Sequence, residues 1–173
     1  MTGKIVGIGI VAVALIAGAM IYYLQEYAFY NEVTLASGDT GKNAVQIELV
    51  SLVSGQPEVI PTDDFQGIDS DSSPIRFRAC FTIPLSDAML TETYQVYVHP
   101  EPLTGPDWFS CYDAKAIGRA LEQEKAIAFL SHENIHSGVD RVIAVFPDGR
   151  AFAWHQLNET FQEKAPFDAQ SAD

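Results

Sequence analysis

His132, Glu133 and His136 stand in the order His-Glu-x-x-His inside SHENIHSG (131–138). In zinc hydrolases that spacing sets two histidines one turn apart on a helical face, where they hold the metal while the glutamate serves as general base. The chemistry also needs a third ligand and an open position for water. The flanking residues favour a different structure. AIAFL (126–130) precedes the motif, VIAVF (142–146) follows it, and Ser131, Asn134, Ser137 and Gly138 lie between. This reads as strand, turn, strand, with the two histidines at the ends of a connection. A helical alternative extends the segment 107–124 through EKAIAFLSHENIH, because no breaker stands between Glu124 and His136. Even then the available third ligands, His155 and Glu159, fall on or just past a hairpin instead of a second helix. The favoured reading is a polar loop without a catalytic or metal role. A metal site using His132 and His136 is kept as the alternative.

Other reactive residues fit plainer roles. The sequence has no G-x-S-x-G, no G-x-x-x-x-G-K-[ST] phosphate loop and no G-x-G-x-x-G opening a helix, and no motif calls for a cofactor. Trp154 and His155 are neighbours in a strand-like run, so they point to opposite faces, one expected in the core and the other exposed. Asp63, Asp64, Asp69 and Asp71 are expected on a solvated acidic loop. Counted from Asp69, the sixth and twelfth positions of a calcium loop are Pro74 and Cys80, where glycine and glutamate are needed. Cys80 and Cys111 form no C-x-x-C pair and are expected to be joined in a disulfide if they lie in an oxidising compartment; two buried thiols are the other possibility.

These residues follow an apolar segment. IVGIGIVAVALIAGAMIYYL (5–24) runs 20 residues without a charge, and at about 1.5 Å per residue it covers roughly 30 Å, the hydrocarbon thickness of a bilayer. Tyr22, Tyr23, Tyr27 and Tyr30 crowd its exit, where amphipathic rings favour the headgroup level. The rival is a cleaved signal peptide cut near Ala17-Gly18-Ala19. A single n-region lysine and an apolar run that continues past the cut favour a retained transmembrane helix. Lys4 is the one positive side chain before the span and Lys42 the next, so residues 1–4 are expected in the cytoplasm and residues 25–173 outside. Gly7, Ala14 and Gly18 fall near one helical face and would admit a second helix at close range.

With Lys4 set aside, the nine remaining Lys and Arg face all 23 acidic residues in the outer portion, within a chain whose formal charge is −13. So acidic a surface repels phosphate backbones, which argues against nucleic acid as a partner. It favours solubility and cationic partners.

Residues 25–44 read as a stalk, 45–158 as the outer domain and 159–173 as a flexible tail. Strands are expected at 45–53, 75–83, 93–99, 126–130, 142–146 and 151–157, with Pro147-Asp148-Gly149-Arg150 turning a hairpin between the last two. One helix is expected within 107–124, its apolar stripe formed by Phe109, Tyr112, Ala116, Ile117, Ala120 and Leu121 and its internal cap by Asp113. The fold class is α+β: an N-terminal transmembrane helix followed by a mainly antiparallel sheet packed on one helix.

The order of segments, from AMIYYLQEYAFY through SLVSGQPEVIP and SSPIRFRACF to DRVIAVFPDGRAFAWH, resembles a family of small single-span alphaproteobacterial membrane proteins of uncharacterised function. The resemblance reaches to about Gln156. It implies a bacterial inner-membrane setting and brings no catalytic residues with it. The resulting expectation is a non-enzymatic, single-pass protein of the cytoplasmic membrane whose periplasmic domain binds or scaffolds other envelope proteins, for instance as an accessory subunit of a membrane complex. Its partners would be the lipid bilayer and another membrane or periplasmic protein. A membrane-tethered metal-dependent hydrolase is the alternative.

Overall fold

A computed structural model describes residues 2–36 and 44–164. Helix α1 (Thr2–Glu26) comes first, followed by strands β1 (Asn31–Leu35), β2 (Ala44–Val45), β3 (Glu48–Val50), β4 (Pro57–Val59), β5 (Asp63–Asp69) and β6 (Arg78–Thr82). Helices α2 (Asp87–Thr93) and α3 (Ala114–Glu122) precede strands β7 (Ile127–His136), β8 (Val139–Val145) and β9 (Arg150–Leu157), and α4 (Glu159–Lys164) follows. The stretch Gly3–Leu24 is long and apolar enough to cross a bilayer, and none of its most apolar window is buried by the rest of the chain.

Seven strands form one curled, mainly antiparallel sheet in the order β2-β1-β5-β6-β9-β8-β7, while β3 and β4 pair as a separate hairpin. The β8–β9 hairpin turns where the sequence indicates, at Gly149, whose φ of +85° suits a residue without a side chain. Both faces of the sheet are covered. Ala79, Phe81, Phe129, Ile143, Val145, Ala151 and Ala153 face a core completed by Ile47, Leu49 and Leu90 from β3, its approach and α2. Cys80, Ala128, Val142, Ala144, Phe152 and Trp154 face a second core with Phe109, Tyr112 and Ile117 of the α3 region. Alternate strand residues thus feed two cores, and β8 is buried along its whole length.

This double cover corrects the expectation for Trp154 and His155. They do point to opposite faces, yet Trp154 is 0% and His155 1% exposed. Helix α2, unexpected from the sequence, supplies part of the cover over the core that Ile47 and Leu49 also complete. Ser86 caps it by accepting from the Met89 N–H, and it buries Leu90 completely, worth about 1.5–3 kcal/mol relative to exposure.

Other boundaries also move. The stretch expected to be an acidic loop contains β5, held by β1 on one side and β6 on the other; pairing on two sides overrides poor strand propensity. The segment 25–44 is no simple stalk, because β1 within it is a strand of the main sheet, and residues 37–43 lie outside those described. Residues 93–99 make only isolated bridges, Ser51 to Tyr94 and Val96 to Phe129, instead of a strand. The helix within 107–124 is confined to α3, with Asp113 as its cap accepting from the Ala116 N–H. The expected tail begins as α4; residues beyond 164 are not described.

Cys80 of β6 and Cys111 are joined in a disulfide, their Cα atoms 6.3 Å apart. It ties the sheet to the segment entering α3.

Candidate functional site

The histidines of HENIH lie on a strand. His132 stands opposite Arg141 and His136 opposite Val139, with register shifts on either side of His132. Asn134 takes a φ of +50°, and the turn itself is only Ser137 and Gly138, the latter at +77°. Neither the expected polar loop nor a helix forms here. The irregular β7–β8 hairpin sends the two rings to different neighbours. His132 Nδ1 is 3.7 Å from a Glu48 carboxylate oxygen, and the His136 ring packs edge-on to His155 with centroids 5.9 Å apart. The metal alternative therefore lacks the helical geometry on which it depends. Among the described residues, no three His, Cys, Asp or Glu side chains converge as metal ligands.

His155 belongs to a buried polar cluster instead. Its Nδ1 lies 2.7 Å from the Pro74 carbonyl, and its Nε2 accepts from Arg141 Nε at 3.0 Å. The proton therefore resides on Nδ1. The His155 ring stacks on Phe77 at 4.7 Å, and the Arg141 guanidinium lies 4.3 Å from the centroid of the Phe77 ring. Burial, reinforced by the Arg141 charge, pushes His155 down to about 3. Burial also lowers Arg141 to about 10, against the charges of Asp69 and Glu48. This cluster is structural: its donors and acceptors are turned on one another.

A feature open to partners from outside is a groove of about 980 Å³ between residues 96–104, α3 and the start of β7. Its outer wall is pinned residue by residue. The Gln95 N–H donates to Val50 O and its carbonyl accepts from the Leu130 N–H. The Tyr97 N–H donates to Ala128 O, and its hydroxyl donates to Asp140 at 3.0 Å. Asp140 is itself buried and also accepts from the Asn134 N–H and the Asn158 amide. Farther along, Gln156 donates to His99 O at 2.9 Å and accepts from the Glu101 N–H at 2.8 Å. Arg78 donates to the carbonyls of Leu103 and Thr104 at 2.8 and 3.0 Å, and its remaining bonds go to Ile75 and Phe77 carbonyls. An arginine whose hydrogen bonds all go to carbonyls, and which lies over the Tyr112 ring, serves as a fixed scaffold for the loop.

The backbone of Gln95, Tyr97 and His99 is held by these bonds, yet only the Tyr97 side chain is partly covered, and the valines between them stay exposed. Val96 is 46% and Val98 77% exposed. Leu121, Ile127 and Pro102 continue the apolar lining, and Glu101, Glu122 and Glu124 stand against the single Lys115. The lining thus offers an apolar surface with an acidic rim. Tyr97, raised above the ordinary phenol range by burial and then by the Asp140 charge, stays a neutral hydrogen-bond donor.

The model of a family of unknown function, DUF6446, matches residues 47–173. The chain belongs to this family. No curated protein and no solved structure matches the chain. The DUF6446 region takes in the groove, the disulfide, the Asp140 network and the Arg141–His155 pair, and it starts after α1, β1 and β2.

Of the residues singled out from sequence, Cys80 and Cys111 are brought together. Gly7, Ala14 and Gly18 lie on α1, and a Cβ at Gly7 or Gly18 would meet nothing within 4 Å. Sequence reasoning passed over Val96, Val98 and their anchors Gln156, Asp140 and Arg78. The available signal was VYVHPEP (96–102), β-forming residues halted by two prolines, which marks a segment that pairs briefly and then leaves.

Proposed function

We propose that this DUF6446 protein is a non-enzymatic binding or scaffolding protein of the bacterial envelope. Helix α1 anchors it in the inner membrane, residues 25–173 face the periplasm, and the groove receives an apolar, basic segment of another envelope protein, making the chain an accessory subunit of a membrane complex. The observation that carries this reading is the rigid wall at residues 95–104, which holds Val96 and Val98 out to solvent. Exposed valines on a surface fixed by buried polar side chains are suited to a partner that covers them. The acidic rim and the −13 formal charge favour basic residues beside the apolar contact. Lys4 ahead of the span supports the orientation, and a disulfide suits an oxidising compartment.

Two measurements test it. A C-terminal alkaline phosphatase fusion is expected to be active and a C-terminal green fluorescent protein fusion dark; the opposite pattern overturns the topology. Val98→Asp is expected to remove a co-purifying envelope protein from gently solubilised membranes while leaving thermal unfolding unchanged. Retention of every partner by a folded Val98→Asp chain overturns the groove as the binding surface.

A further inference from the structure

The junction between α1 and the outer domain is built from aromatic rings. The last turn of α1 passes through residues 27–30 directly into β1, so little slack separates the apolar helix from the main sheet. Trp108, 82 residues away from Glu26 in sequence, donates its indole N–H to the Glu26 carbonyl at 2.6 Å. That carbonyl belongs to the exposed end of α1, where acceptors lack partners within the helix. The Trp108 ring stacks on Tyr27, with centroids 6.2 Å apart and planes 18° apart, and Tyr27 stacks in turn on Tyr23 at 5.9 Å. Tyr30 meets Trp108 edge-on at 6.0 Å, and the Arg76 guanidinium lies 5.5 Å from the Tyr30 ring. On the other side Trp108 packs edge-on to Phe109, which is buried in the α3-side core, and the disulfide at Cys111 ties this loop to β6.

Despite these contacts the rings remain open to the surroundings: Tyr23 is 60%, Phe29 46%, Tyr27 44% and Trp108 38% exposed. Tryptophan and tyrosine with this combination of apolar body and polar tip favour the headgroup level of a bilayer. Their position at the exit of a bilayer-length helix supplies the bilayer at that level.

We propose that Trp108 is a membrane-docking residue: together with Tyr23, Tyr27 and Phe29 it seats the outer domain on the interfacial layer of the bilayer that α1 enters. The domain then has a fixed height and orientation over the lipid surface. This inference rests on α1 being a retained span, and its test separates the two claims.

The protein contains two tryptophans, and Trp154 is fully buried. Full-length protein is reconstituted in phosphatidylcholine vesicles whose acyl chains are brominated either near the headgroup or near the chain end. Insertion of α1 is read independently by flotation and resistance to alkaline carbonate. The expected result is insertion, with strong loss of Trp108 emission in the shallow-brominated vesicles, weaker loss in the deep-brominated ones, and no loss in Trp108→Phe, where only Trp154 emits. The complementary Trp154→Phe chain leaves Trp108 as sole emitter and is expected to repeat the wild-type loss. Inserted protein whose Trp108 emission is indifferent to bromine, or is quenched more from the deep position, overturns docking and leaves the anchor standing. Failure to float or to resist carbonate overturns both.

Discussion

Arg141 donates to His155 at 3.0 Å, so a buried cation is bonded to a histidine that must remain neutral. The pair has a sign in pH. The folded state holds His155 near 3, whereas an unfolded histidine titrates near 6.5. Between those values the unfolded chain binds a proton that the folded chain refuses. Stability is therefore fully present above about pH 6.5 and falls as pH drops toward 3, by up to about 1.4 kcal/mol per pH unit from this residue.

Replacing His155 by Gln removes the titration and leaves an amide oxygen that can accept from Arg141. Denaturant unfolding of the solubilised protein at pH 7 and pH 5 is expected to show a smaller acid loss in His155→Gln than in wild type, by about 1–2 kcal/mol. Equal losses would place the acid sensitivity elsewhere.

Reduction of the Cys80–Cys111 disulfide opens a link spanning 31 residues. In the chain-entropy treatment this costs roughly 3–4 kcal/mol. Cys80→Ala with Cys111→Ala is expected to lower the unfolding free energy by that order. Thiol titration of wild type in denaturant without reductant should find no free thiol. Two titratable thiols would contradict the bridge.

On α1, Gly7 and Gly18 carry no neighbour from the rest of the chain. If a second helix packs on the face they share with Ala14, bulk at that face blocks it. Ala14→Leu with Gly18→Leu is expected to abolish co-purification of a membrane partner or a second copy while the outer domain stays folded. Undiminished association of the double variant would assign the contact to the outer domain.

The sheet was legible where both strand partners are rich in β-formers, as in VIAVF and AFAWHQL, and where Gly149 marks the turn between them. Alternation alone could not say how many faces are covered, so one of Trp154 and His155 was expected outside; the cover over His155 comes from Phe77 and Pro74, distant in sequence. Strand β5 was hidden because its order derives from two neighbours and not from its own Asp and Gly residues. Helix α2 did carry a signal, Ser86-Asp87 opening a short apolar turn. The groove was least legible. Alternating Gln95, Tyr97 and His99 with valines implies valines inside, whereas the segment is tied down through its backbone and the Tyr97 hydroxyl by the distant Asp140 and Gln156, which leaves the valines exposed. The HENIH pattern failed as a zinc signal for a related reason: its meaning depends on a helix, and the β7–β8 pairing makes it a strand.

The central claim, that the groove wall at 95–104 is covered by another envelope protein, is tested most directly by photo-crosslinking in intact cells. A benzoylphenylalanine side chain is placed in the full-length protein at Val98, or at Val53, which is 94% exposed outside the groove lining and serves as control. The account predicts one discrete adduct from Val98 and none from Val53, with the captured partner peptide carrying apolar residues beside Lys or Arg. No adduct at Val98, or the same adducts from both positions, would contradict it.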